Sequence, residues 1–222
     1  MKRAAVLIMI ISILSKILGF AREMVQSFIY GASAITDAYL ISETIPRQIF
    51  AFVSAGIATS FIPMYSRILK DKGKQGADLY TNNLINILLS LATVTVAIVV
   101  LFTQPIVRLF ATGFSGETLN LAINFTRISV VGVYFCAIFS ISGGYLRLHG
   151  NYVLPTSAGL AFNLVIIPSF IISARTSIYV LAIGGVVASA VQLLIQAPAI
   201  RKAGYRYKPI LNLKDKQVKT ML

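Results

Sequence analysis

The feature that most constrains this chain is a set of long stretches lacking any Lys, Arg, Asp or Glu. They run from Gln48 to Ser66, Leu79 to Val107, Ile128 to Leu146, Leu148 to Ala174 and Thr176 to Ile200. Each holds about 19 residues or more, the length of helix that crosses roughly 30 Å of hydrocarbon. Five such stretches in 222 residues are more than ordinary core helices explain. In lipid the backbone must satisfy its own hydrogen bonds, so the expected fold is an all-α polytopic membrane protein. A soluble globular enzyme, a disordered basic tail and a nucleic-acid module are excluded.

Six helices are expected, at about 4–30, 36–69, 78–103, 117–147, 152–173 and 176–200. Lys2 and Arg3 before the apolar run Ala4 to Leu14 resemble a signal peptide, but no small-residue cleavage site follows, so this segment is read as a retained first span. Gly31 opens a turn, and Ser33 or Thr36 is suited to cap the next helix. Pro46 removes a hydrogen bond inside the second helix and bends it. Gly31 and Pro46 are therefore the expected hinge positions. Gln104 to Gly116, with Pro105, Gly113 and Gly116, reads as a connection.

Orientation follows from basic residues, which favour the cytoplasmic side. The chain carries a net charge of +13 although only 12% of its residues are charged. With a cytoplasmic N-terminus, inside segments hold Lys2 and Arg3; Arg67, Lys70, Lys72 and Lys74; Arg147; and the seven basic residues from Arg201 to Lys219. Only Arg108 and Arg175 fall outside. This bias supports an even number of spans with both ends cytoplasmic. Residues 1–203 thus read as one six-helix transmembrane lobe. The basic segment 204–222 reads as a cytoplasmic linker or amphipathic surface helix leading to a seventh helix, as expected of the N-terminal part of a longer protein.

Cys136 is the sole cysteine and lies in an apolar run, which reads as a buried inert thiol. His149 is the sole histidine, and without a Cys or carboxylate cluster no metal site is expected. The remaining charges are informative. An ionisable group in a bilayer costs about 2.5–3.5 kcal/mol on insertion scales, so it usually faces protein or a water-filled cavity. Lys16, Arg22, Glu23, Asp37, Glu43 and Arg47 crowd into the first two helices. Glu43 and Arg47 are four apart and can pair on one face. The seven carboxylates are scattered, with no histidine cluster and no Gly-rich phosphate loop, so no catalytic set is apparent. Cations in a membrane cavity suit an anionic ligand, and an arginine fork matches phosphate oxygens in pairs. An amphiphile with a phosphorylated head and a lipid tail fits such a site. The small residues Ser140, Ser142, Gly143, Gly144, Ala182, Gly184, Gly185, Ala188, Ser189 and Ala190 read chiefly as close helix packing.

These residues also form a pattern. Ser15-Lys16-Ile17-Leu18-Gly19-Phe20-Ala21-Arg22-Glu23, Tyr30-Gly31-Ala32, Thr36-Asp37-Ala38-Tyr39, Ile45-Pro46, Gly56 and Phe61-Ile62-Pro63 resemble the start of the MurJ/MviN family. The opening motif is Ser-(Arg/Lys)-x-Leu-Gly-x-x-Arg-(Asp/Glu). The likeness runs on more weakly through Gly150-Asn151-Tyr152, Pro155 and Asn163. These are lipid II flippases of the multidrug/oligosaccharidyl-lipid/polysaccharide exporter superfamily, with about fourteen helices in two six-helix lobes plus two more. The resemblance implies the first lobe and a central cationic cavity alternating between the membrane faces. By resemblance, Arg22 is a cavity arginine and Lys16 a position usually held by arginine. Glu23 and Asp37 match acidic positions, and Asn163 matches a fifth-helix asparagine. The family's arginine pair one turn after the helix-two proline is absent here, where the sequence reads Pro46-Arg47-Gln48-Ile49-Phe50-Ala51.

The leading expectation is flipping of lipid II, the undecaprenyl-diphosphate-linked peptidoglycan precursor, in the bacterial plasma membrane. Arg22, Lys16 and Arg47 would bind the diphosphate, with Glu23, Asp37, Glu43 and Asn163 as their partners. Membrane lipids and a C-terminal lobe are the expected partners. No cofactor is expected, and the membrane potential or an ion would drive transport. The alternatives are an exporter of another lipid-linked oligosaccharide, a drug/ion antiporter and a membrane enzyme acting on a lipid-linked sugar.

Overall fold

In the computed structural model, residues 2–209 and 212 are described; the side chains of residues 2–4 and 53–58, and with them Gly56, lie outside the described set. The described residues form eight helical segments: α1 (Lys2–Tyr30), α2 (Ala34–Leu101), α3 (Thr103–Phe110), α4 (Gly116–Ser129), α5 (Gly132–Leu148), α6 (Val153–Ser173), α7 (Tyr179–Leu194) and α8 (Ala197–Lys202). The six expected helices are thus redistributed, and each difference has a local cause.

The second and third expected helices run together as α2. Its one non-helical residue is Gly73, at φ 69° and ψ −175°, a region that side chains other than glycine's hydrogen scarcely enter. The Phe61 and Tyr80 rings nevertheless stack with centroids 6.3 Å apart. In a straight helix they would lie about 28 Å apart at 1.5 Å per residue. The chain therefore folds back at Gly73, and α2 is two limbs, 34–72 and 74–101, packed on each other. Ser33 caps the start, its Oγ accepting from the Thr36 amide at 3.4 Å.

Part of the expected connection after Leu101 is the short helix α3. Pro105 sits in its first turn, where the missing amide hydrogen would have no helical partner. The expected fourth helix is broken into α4 and α5, bent by 44°. The bend lies where the ladder tightens, with the amides of Val131, Val133 and Tyr134 donating three residues back to Ile128, Val130 and Val131. The expected sixth helix divides into α7 and α8. Pro198 there has no amide to donate, and the Gln196 amide bonds instead to the Leu193 carbonyl. Among the described residues, four helices are long and apolar enough to cross a membrane, or five if the bent pair α4–α5 is one span.

Two apolar clusters hold the bundle. One joins both limbs of α2 to α5 through Phe61, Tyr65, Leu84, Leu88, Ile141 and Tyr145. The other joins the start of α2 to α4, α6 and α7 through Tyr39, Ile45, Phe125, Phe170 and Ala182. Outward-facing Val6, Leu7, Ile10, Leu14, Ile17 and Phe20 on α1 are exposed, as a lipid-facing surface requires. The helices α1 and α6 run parallel: Ser15 and Asn163 bond at mid-helix, and Tyr30 Oη lies 2.6 Å from Ser173 Oγ at the C-terminal ends of both. The protein is therefore a multi-pass helical membrane protein.

The chain after α8 departs from a surface helix over 205–209, which carries no helix. It lies as a strap along the second limb of α2. Asn82 Oδ1 accepts from Tyr205 Oη at 2.6 Å and from the Lys208 amide at 3.0 Å, and its amide donates to the Arg206 carbonyl at 3.5 Å. Asn83 exchanges two hydrogen bonds with Asn212, at 2.6 and 2.9 Å. Burial raises the Tyr205 phenol above its ordinary range and keeps it a donor.

Candidate functional site

A cavity of about 560 Å³ opens in the middle of the bundle, with walls from α1, α2, α4, α5, α6 and α7. The face that α2 turns to it is Glu43, Pro46, Arg47, Phe50 and Ala51, the spacing of one helical stripe. From α1 come Gly19 and Arg22, three apart on one face. The remaining walls carry uncharged polar residues, Ser129, Ser140, Asn163, Ser189 and Gln192, together with Cys136 and the apolar Val133 and Phe162.

Arg47 pairs with Glu43 at 3.5 Å, its side chain 69% exposed against 19% for the carboxylate. The anchored carboxylate thus holds the guanidinium while leaving most of it free for a ligand. Glu43 can lie against α7 because residue 185 is glycine. A Cβ there would come within 2.5 Å of Glu43 Oε1. Arg22 lies 3.5 Å from Glu23, whose side chain is 68% exposed and does not line the cavity. Asn163 is buried, donates to the Ser15 carbonyl at 3.3 Å, and has no partner for its Oδ1 among the described residues. An unpaired buried acceptor on a cavity wall is a ready contact for a ligand donor.

The fold brings together Arg22, Glu43, Pro46, Arg47 and Asn163 of the residues singled out in the sequence. It leaves out Lys16, Glu23, Asp37 and Gly31. The reason is helical phase. Ser15, Gly19 and Arg22 share the face of α1 that meets α6, whereas Lys16 and Glu23 are each turned by about 100° from a member of that stripe. Asp37 is exposed in the first turn of α2, where a carboxylate favours the positive end of the helix dipole. Gly31, at φ 57°, makes the α1–α2 turn and accepts a hydrogen bond from Thr36 Oγ1 at 2.8 Å.

Cys136 is a correction. It is exposed and lines the cavity rather than sitting buried in the core. Gln192, Ser129 and Phe162 on the cavity wall were not singled out in the sequence. The only available signal for Gln192 was a polar residue in mid-run, which dividing the chain at its charges passes over. His149 is structural: it stacks on Tyr145 at 4.2 Å, and its Nδ1 lies 2.9 Å from the Tyr145 carbonyl.

The family profile described as Lipid II flippase MurJ matches residues 26–222. The chain is 28% identical over 212 residues to the probable lipid II flippase MurJ of Buchnera aphidicola subsp. Baizongia pistaciae, covering 92% of this chain and 41% of that protein. It is 26% identical to the lipid II flippase MurJ of Thermosipho africanus, covering 92% and 42%. It is 24% identical to the lipid II flippase MurJ of Burkholderia cenocepacia, covering 86% and 38%. The chain thus spans about two fifths of the length of these relatives. A solved structure of a lipid II flippase MurJ in an inward closed conformation superposes with a TM-score of 0.79 at 24% identity, covering 97% of this chain and 46% of that one, a likeness of fold. With most of its length matched by the family profile, the chain belongs to the MurJ family of lipid II flippases.

Proposed function

We propose that this chain forms one lobe of a flippase that carries lipid II across the bacterial plasma membrane by alternating access. A second lobe closes the other side of the cavity, and the two rock about a midplane site. The observation that carries the reading is that Arg22 from α1 and Arg47 from α2 face one cavity within a bundle whose outer surface is apolar. Guanidinium forks pair with phosphate oxygens, while the undecaprenyl tail stays in the bilayer. Serines, Asn163 and Gln192 offer hydrogen bonds to the sugar. No bond is made or broken, no cofactor takes part, and the membrane potential or an ion drives the cycle. Both ends of the lobe are cytoplasmic, in line with the basic-residue bias.

The test is reconstitution of the two-lobe protein containing this chain into vesicles with labelled lipid II. Flipping that depends on Arg22 and Arg47 supports the reading. Flipping unaffected by loss of both contradicts it.

A second reading has its own observation. Phe50 and Ala51 line the cavity on the turn after Arg47, where the resemblance would place an arginine pair. The α2 face therefore carries one guanidinium followed by an apolar step, which suits an exporter of another lipid-linked oligosaccharide. Competition between lipid II and other undecaprenyl-diphosphate sugars in the same vesicles separates the two.

A further inference from the structure

A second pocket, of about 400 Å³, lies at the Gly73 end of the bundle, away from the central cavity. Lys74 enters it from the start of the second α2 limb, and Arg206 and Lys208 enter from the strap. These residues are more than 130 positions apart in the chain, yet the same bonds fix them around one space. Asn82, buried at the base, grips the strap backbone at residues 206 and 208. Lys74 Nζ donates to the Ala203 carbonyl at 2.8 Å. Among the described residues Asp78 is the one carboxylate on the wall, and Tyr145 Oη donates to it at 3.3 Å. Among the described residues, none of the three cations has a carboxylate within ion-pair distance.

Among the described residues, three cations stand against one carboxylate here, Lys74 held through its Nζ and Arg206 and Lys208 through their backbones, and this makes a site for an anion. The surroundings identify which kind. Leu79, exposed on an apolar membrane-crossing limb, is part of the wall, and Tyr207 is exposed on the adjoining strap. Aromatic and basic residues at the end of a span are the usual neighbours of lipid head groups. This end is also the one that the proposed orientation turns to the anionic cytoplasmic leaflet.

We propose that the pocket formed by Lys74, Asn82, Arg206 and Lys208 binds the phosphodiester head group of an anionic phospholipid. The lipid would tie the strap to the α2 hairpin at the membrane surface. The site is separate from the transport cavity, and its occupancy in detergent depends neither on flipping nor on orientation.

The test uses the full purified chain in a neutral detergent, with native mass spectrometry to count bound phosphatidylglycerol and phosphatidylcholine, and inorganic phosphate as competitor. The informative variant is Arg206→Gln with Lys208→Gln, because the strap bonds at these positions run through the backbone and survive the change. Arg201→Gln with Lys202→Gln removes the same charge from α8, outside the pocket. Circular dichroism checks that both variants keep their helix. The expected result is a preference for phosphatidylglycerol that falls about fivefold or more per cation removed in the first variant and persists in the second. Equal losses in both variants would show diffuse charge rather than a site and overturn the proposal. Full displacement by inorganic phosphate at concentrations comparable with the lipid would assign the pocket to a soluble anion and overturn the lipid assignment.

Discussion

Arg47 and Glu43 pair across one turn of α2 at 3.5 Å, and the pair is lopsided: the guanidinium is mostly exposed and the carboxylate mostly enclosed. Exposed pairs of this spacing contribute only about 0.3–0.5 kcal/mol. With its carboxylate enclosed this is not such a pair, and its lopsided exposure aims a cation into the cavity. Glu43→Gln keeps the shape and removes the competing charge. Its expected effect is tighter binding of a diphosphate lipid, a few fold by titration, with a thermal midpoint close to that of the parent. Weaker binding would mean that Glu43 is needed as an anion.

The contact of Glu43 with α7 rests on Gly185. A Cβ there would meet Glu43 Oε1 at 2.5 Å, so Gly185→Ala must push the carboxylate away. The carboxylate is the far end of a flexible side chain and can swing aside, so the change falls on the Glu43–Arg47 geometry rather than on packing. Gly132→Ala is the matched control, since its Cβ would lie 3.7 Å from Ser189 Oγ, an ordinary contact. Thermal denaturation in detergent should show little change for either, whereas binding of a diphosphate lipid should change for the first and stay near the parent's for the second; equal binding in both would mean that the Gly185 contact does not set the pair.

Gly73 makes the reversal within α2. Alanine at φ 69° and ψ −175° is strained by about 1–3 kcal/mol. Gly73→Ala should lower the unfolding midpoint and loosen the hairpin, read as faster amide exchange at its tip. Unchanged exchange and stability would mean that the reversal does not depend on this backbone conformation.

The strap depends on Asn82 most directly, through three hydrogen bonds. Asn82→Ala leaves the Lys208 amide and the Arg206 carbonyl without that partner. Hydrogen exchange at Lys208 should accelerate at least several fold, while exchange in α6 stays as in the parent. An unchanged rate at Lys208 would place the anchoring of the strap elsewhere.

Much of the fold was legible because lipid leaves the chain few choices. Uncharged runs of span length located the helices, and Gly31, Pro105 and Gly116 marked breaks or first turns. Internal bends were harder to see. The kink between α4 and α5 comes from a local tightening of the hydrogen-bond ladder at Val130 and Val131, and no proline or glycine pair signals it. The site was legible in part for a similar reason. Charge in an apolar run points to a cavity but not to the phase of the helix. Arg22 and Arg47 line the cavity, whereas Lys16 and Glu23, equally conspicuous in sequence, turn away from it. Uncharged wall residues such as Gln192 and Cys136 carried no such signal.

On the proposed reading, Arg22 and Arg47 hold the diphosphate of a lipid-linked sugar in this cavity. The most direct measurement is the initial rate of lipid II flipping in vesicles for the parent, Arg22→Ala, Arg47→Ala and the double variant, at matched protein content. Loss of a charge-assisted hydrogen bond is worth about 1.5–3 kcal/mol, so each single variant should flip at least about tenfold more slowly. The double variant should be inactive. A double variant that flips lipid II at the parent's rate would contradict the account.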